Sequence, residues 1–161
     1  MIRYFKIVLV VLVGLQGLFY FVSNAVNFEY AQGAVGAVLS QADSPVYQNL
    51  VIPGITAPAI IMLALIVIMT GELLVGLVCF KGAWDMFKTV KAPAADFNAS
   101  KKWAVAGCCI ALIVWFGFFQ VFGAALLQMW QSAVGVGSFE GAFMYHAASA
   151  LILIFLNQKD D

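Results

Sequence analysis

Three polar side chains interrupt otherwise apolar stretches of this sequence: Gln16, Glu72 and His146. A carboxylate and an imidazole held within reach of each other can pass a proton or grip the polar group of a ligand. An amide beside them can serve either task. Ionisable groups at membrane depth are costly and face the interior of a bundle, where they satisfy one another. At ~1.5 Å of rise per residue, Glu72 lies roughly 13 Å from Lys81, Gln16 roughly 15 Å from Lys6 and His146 roughly 16 Å from Asn157. The three are therefore expected at one level. Gly76, four residues after Glu72, permits close backbone approach, while Ala142, Ser149 and Ala150 share the face of His146 and Tyr20 shares that of Gln16. The cluster reads either as a proton or ligand site or as a hydrogen-bonded clasp between helices. The need of a small bundle for polar contacts between its helices weighs towards the clasp.

The remaining chemistry-bearing residues are few. Cys79, Cys108 and Cys109 form an odd set expected near the reducing side, which argues against a disulfide framework and for packing. Adjacent Cys108 and Cys109 point in different directions on a helix, so no metal site is expected. One histidine cannot ligate haem through two imidazoles. The sequence carries no phosphate-binding loop, HExxH zinc motif, nucleophile elbow or dense basic face, so neither a cofactor nor a nucleic-acid partner is expected.

The elements that must position these groups follow from composition. Of 161 residues, 64% are hydrophobic and 10% charged, with a mean hydropathy of +0.99. Soluble chains are about 45–50% apolar and about 25% charged, so this excess excludes an ordinary aqueous domain. A helix needs about 20 apolar residues to cross a bilayer, and four stretches meet or approach that length: 6–23, 55–80, 103–127 and 142–156. The expectation is an all-α bundle of four transmembrane helices forming a single integral membrane domain over 1–161. Gly107 and Ala111 offer a close contact on the third helix, ahead of an aromatic run from Trp115 to Phe122. Trp84, Trp103 and Trp130 are read as interfacial anchors.

All eight basic residues (Arg3, Lys6, Lys81, Lys88, Lys91, Lys101, Lys102 and Lys159) fall before the first span, between the second and third, or after the fourth. The positive-inside rule then sets both termini and the middle loop in the cytoplasm. An even number of crossings agrees with that arrangement. The apolar run Ile7–Val22 exceeds the usual core of a signal peptide, so the first helix is read as a retained anchor. The outer loop from Asn24 to about Gly54 is too long for a mere connector and is expected to fold on the bundle, with a short helix at Ala34–Ser40 and a turn at Asp43-Ser44-Pro45. On the inner side a helix extension to Val90, a break at Pro93 and a fresh start near Asp96-Phe97-Asn98 are expected. The polar tail Asn157–Asp161 is expected to reach water.

The segments Asn27-Phe28-Glu29-Tyr30, Val38-Leu39-Ser40 with Asp43, Glu72, Gly82-Ala83-Trp84, the run Phe97 to Ala104 with Gly107, Trp115-Phe116, and Met129-Trp130-Gln131-Ser132 stand out together. In these the chain resembles a widespread bacterial family of small, four-span integral membrane proteins known only as a domain of unknown function. The resemblance covers nearly the whole chain. It departs from the family pattern at Gly123-Ala124-Ala125-Leu126-Leu127 and at Met144, where polar groups near the outer surface are replaced by apolar ones. The resemblance implies a multi-pass protein of the bacterial inner membrane, and it implies no reaction.

Three functions compete on these features. The leading one is a non-enzymatic accessory or scaffold subunit of a larger inner-membrane complex, touching the lipid bilayer and either another integral membrane protein or further copies of itself. The second is a proton or small-solute pathway through Glu72 and His146. The third is a haem- or quinone-associated electron-transfer subunit.

Overall fold

Val, Leu, Ile and Phe dominate the long apolar stretches, and hydrocarbon forces every backbone amide in them to find a partner within its own helix. The computed structural model, which describes residues 1–44, 46–47 and 49–161, is all-helical, with no strand among the described residues. Helix α1 spans Ile2–Val26 and α2 Phe28–Ser40. Helix α3 spans Pro58–Lys88, α4 Ala94–Ser100 and α5 Lys102–Leu112. The last of these continues as a wider π-helical segment over Ile113–Leu126, followed by a 3₁₀ turn at Met129–Gln131 and by α6 over Ala133–Asn157. Four helices, at 2–26, 58–88, 94–126 and 133–157, are long and apolar enough to cross a membrane.

The spans stand where hydropathy places them, and their ends differ for local reasons. Helix α6 starts nine residues before the expected Ala142, because the Ser132 hydroxyl accepts the Gly135 amide (3.1 Å) and caps a start that the later Ser138 and Glu140 separate from the continuous apolar run. Pro58 opens α3 in the first turn, where its missing N–H costs nothing. At 31 residues α3 is about 46 Å long, so its Lys81–Asp85–Lys88 end projects beyond a ~30 Å hydrocarbon layer.

The expected outer helix begins earlier than Ala34. Asn27 breaks the chain direction with φ −117°, its side chain donating to Ser23 O (2.9 Å), and α2 starts at once. Helix α2 stops where Gln41 adopts a left-handed conformation, φ 51°. The following loop is tied down by Ile55 N to Leu39 O (2.7 Å) and by the Val46 and Tyr47 amides, both donating to Gln131 Oε1. The expected turn at Asp43-Ser44-Pro45 includes Pro45, which lies outside the described residues. Pro93 precedes α4 as expected, and α3 ends two residues before Val90.

Helix α3 lies between α1 and α5, and α6 closes the bundle against α5 and its π-helical continuation. Three glycines set the approach. A Cβ on Gly17 would stand 2.7 Å from Glu72 O, one on Gly107 would stand 2.9 Å from Cys79 N, and one on Gly82 would collide with the Ala104 backbone. These contacts concentrate the core in one half of the bundle, around Val10, Val75, Cys79, Met86, Phe97 and Cys108. At most 28% of the most apolar stretch of any span is buried inside the protein, so the rest must face lipid or another protein.

Candidate intramembrane cavity

Glu72 is buried, 2% exposed, on the face of α3 that meets α1. Side chains on a helix tilt towards its N-terminus. Because α1 and α3 run antiparallel, Glu72 leans towards the end of α1, and Asn24 leans back towards Glu72. The Asn24 amide donates to Glu72 Oε2 at 2.9 Å, the one hydrogen bond to this carboxylate among the described residues. Tyr20, one turn before Asn24, meets Tyr145 of α6 hydroxyl to hydroxyl. The rings of Tyr20, Tyr145 and the buried Trp115 pack edge to face or tilted, with centroids 4.9–6.3 Å apart.

These groups line a cavity of about 410 Å³, bounded on the α6 side by Gly137, Ser138, Gly141 and Ala142. A second cavity of about 320 Å³ shares Asn24, Phe119 and Ser138 with it and therefore adjoins it. Its wall is apolar, built from Ala34, Val38, Leu65, Ile68, Phe118 and Phe122 among others. Both lie within the size range of small-molecule sites, about 300–1,000 Å³. Small residues supply the space: α2 offers alanines and valines to the second chamber, and α6 offers glycines to the first.

Of the expected trio, only Glu72 reaches the cavity. Gly76 packs against Gly14 and Leu18, so Glu72, one turn earlier in the antiparallel α3, lies beyond the level of Gln16 and faces Tyr20 and Asn24. Gln16 is half-buried on α1 below that level and does not line either chamber. His146 follows Tyr145 by one residue, about 100° around α6, and so leaves the cavity face. Its Nδ1 lies 3.0 Å from Ala142 O and its ring sits between Phe116 and Phe143, both half exposed on the outer surface. Depth counted from flanking charges assumes that all helices start at one height, and that assumption fails for the long α3. The signal that could have found the site is the Tyr20–Asn24 pair, four residues apart on one face of α1.

A second polar cluster closes the opposite end. Lys6 donates to Gln158 O and Asp160 Oδ2, each at 2.7 Å, and Lys101 donates to Asp160 Oδ2 (2.5 Å), Asn98 Oδ1 (2.7 Å) and Gln158 O (2.8 Å). All three charged residues are buried, 2–6% exposed. Arg3 clamps the neighbouring backbone through Val90 O, Ala92 O and Asp161 O. The segment after α6 therefore does not run out into water, as its polarity suggested. It folds back as a plug, because two buried ammonium groups require an anion. Burial pushes the Asp160 carboxyl up, but hydrogen bonds from Lys101 and Lys6 outweigh it and hold the group below its ordinary range.

Cys79 and Cys108 are buried in the α3–α5 contact, and Cys109 is exposed. Trp84 and Trp103 are exposed near helix ends, 58% and 44%, as interfacial anchors would be. The family model described as "Predicted small integral membrane protein (DUF2165)" matches residues 2–159. No curated protein and no solved structure matches the chain.

Proposed function

This chain belongs to the DUF2165 family of small integral membrane proteins, and from that premise we propose that it is a non-enzymatic accessory protein that captures a small molecule within the bilayer. The observation that carries this reading is the pair of adjoining chambers, one polar around Glu72 and one apolar beneath α2. Conduction is disfavoured, because the half of the bundle beyond Glu72 is filled by Val10, Val75, Cys79, Met86 and Cys108. A Glu72–His146 proton pair is disfavoured by the outward position of His146. Extraction of the full chain in mild detergent, followed by mass spectrometry of what organic solvent releases, tests the reading. One small molecule per chain is expected. A chain that carries none, and whose melting temperature no lipid-soluble compound raises, would contradict it.

A second reading concerns partners and rests on a separate observation. His146 presents an imidazole, with one ring nitrogen bonded to its own helix, on a surface shared with exposed Phe116 and Phe143. Polar groups in spans face protein rather than lipid, which supports this ridge as the seat of a neighbouring membrane helix. That helix belongs to a second copy or to another integral membrane protein. Native mass spectrometry of wild type and His146→Leu is expected to show a complex that the substitution weakens, and a monomer in both would refute the reading.

The basic residues gather around the end where Arg3 meets Val90, Ala92 and Asp161. That grouping supports placing this end on the cytoplasmic side of a bacterial inner membrane.

A further inference from the structure

Resting on the cavity reading above, we propose that the two chambers select a lipophilic ammonium ion, with its cationic head beside Glu72 and its apolar tail beneath α2. The head chamber combines a buried carboxylate with the rings of Tyr20, Trp115, Phe119 and Tyr145. A cation over aromatic faces is attracted by the ring quadrupoles, and this is the established recognition mode for quaternary ammonium groups. Glu72 supplies the countercharge that rings alone lack. No Lys, Arg or His lines either chamber among the described residues, so the positive partner of the carboxylate must be a proton or must arrive with the ligand.

The wall chemistry narrows the class further. A small hard metal ion needs several oxygen ligands to replace its water shell, and no group of three or more His, Cys, Asp or Glu occurs among the described residues. A zwitterionic lipid headgroup would bring a phosphate into a chamber that offers it no cation. An organic ammonium ion is weakly hydrated, is larger than a metal ion, and presents alkyl groups to the rings. The adjoining chamber adds an apolar wall in continuity with the head site, through Phe119 and Ser138. Each CH₂ of a short alkyl chain buried there should tighten binding by about fourfold until the chamber is full.

The test uses the full chain in lipid nanodiscs and isothermal titration with hexyltrimethylammonium. Its neutral isostere, with carbon in place of nitrogen, and hexyl sulfate serve as the comparison probes. The expected result is saturable binding of one cation per chain, at least tenfold tighter than the isostere, with no saturable binding of the sulfate. Glu72→Gln, which keeps the shape and can still accept from Asn24, should lose at least tenfold in affinity for the cation and little for the isostere. Trp115→Phe should weaken the cation selectively. If Glu72→Gln fails to fold, the three probes on the native chain still decide. Equal binding of cation and isostere would overturn the ammonium assignment and leave the cavity reading standing. Failure of all three probes to bind would overturn the ammonium assignment, and the cavity reading falls with it only where the extracted chain also releases no small molecule.

Discussion

Replacing Asp160 with alanine should unlock the closed end of the bundle. Its Oδ2 receives Lys6 Nζ at 2.7 Å and Lys101 Nζ at 2.5 Å, and the three side chains are almost wholly buried. Removing the carboxylate leaves two ammonium groups that both touched one oxygen and so lie at most about 5 Å apart, which repel by about 3 kcal/mol or more at an effective dielectric of ~20. Each also loses one charge-assisted hydrogen bond, though Gln158 O and Asn98 Oδ1 remain as acceptors. Breaking a buried ion pair from one side costs about 3–5 kcal/mol, so a fall of the order of 10 °C in melting temperature is expected. Near-ultraviolet circular dichroism in mild detergent at pH 7 reads it. The triple variant Lys6→Met, Lys101→Met, Asp160→Leu should recover most of the loss, since none of the three buried charges at this end then remains. An Asp160→Ala protein melting within about 2 °C of wild type would refute the reasoning.

Acid should reproduce the effect. Because the Asp160 carboxyl is held below its ordinary range, its contribution is fully present above the unfolded value of about 3.9 and is lost as pH falls through the lower folded value. Melting temperature should therefore drop below about pH 4 in wild type, and Asp160→Asn should remove this group's share of the slope; an unchanged slope would exclude Asp160 as its source. Gly82→Val should push its side chain into the Ala104 backbone and cost about 3 kcal/mol or more, whereas Gly33→Ala, where nothing lies within 4 Å, should be neutral or stabilise α2 by about 0.5–1 kcal/mol. Thermal melts of the two variants separate these outcomes. Among the cysteines, a small maleimide in detergent should label Cys109 within minutes and leave Cys79 and Cys108 unmodified until the chain unfolds. Equal labelling of all three by mass spectrometry would mean that the α3–α5 contact is open.

The four spans were legible because length and apolarity are local properties that no tertiary context has to supply. The inward position of Glu72 was legible for the same reason: a carboxylate in hydrocarbon has nowhere else to go. Its partners were not. Asn24 lies at the margin of the first apolar run and reads as loop, and its encounter with Glu72 depends on the register that Gly14, Gly17 and Gly76 impose between α1 and α3. His146 was misplaced by phase, since one residue separates the cavity face of α6 from its outer face. Lys6 and Lys101 were read through the rule for orienting spans, which treats basic residues as solvated, and Asp160 as part of a polar tail reaching water. Their burial arises from contacts between residues more than 50 positions apart, which no local window registers.

The cavity exists only if Asn24, and not Gln16, stands opposite Glu72. Paired cysteines at Asn24 and Glu72, in a chain whose native cysteines are alanine, measure this directly when a short bifunctional thiol reagent is applied in native membranes. Protection of both thiols from later maleimide labelling is expected for this pair, and none for the Gln16 and Glu72 pair. Linkage of Gln16 to Glu72 with Asn24 left free would contradict the register on which both chambers depend.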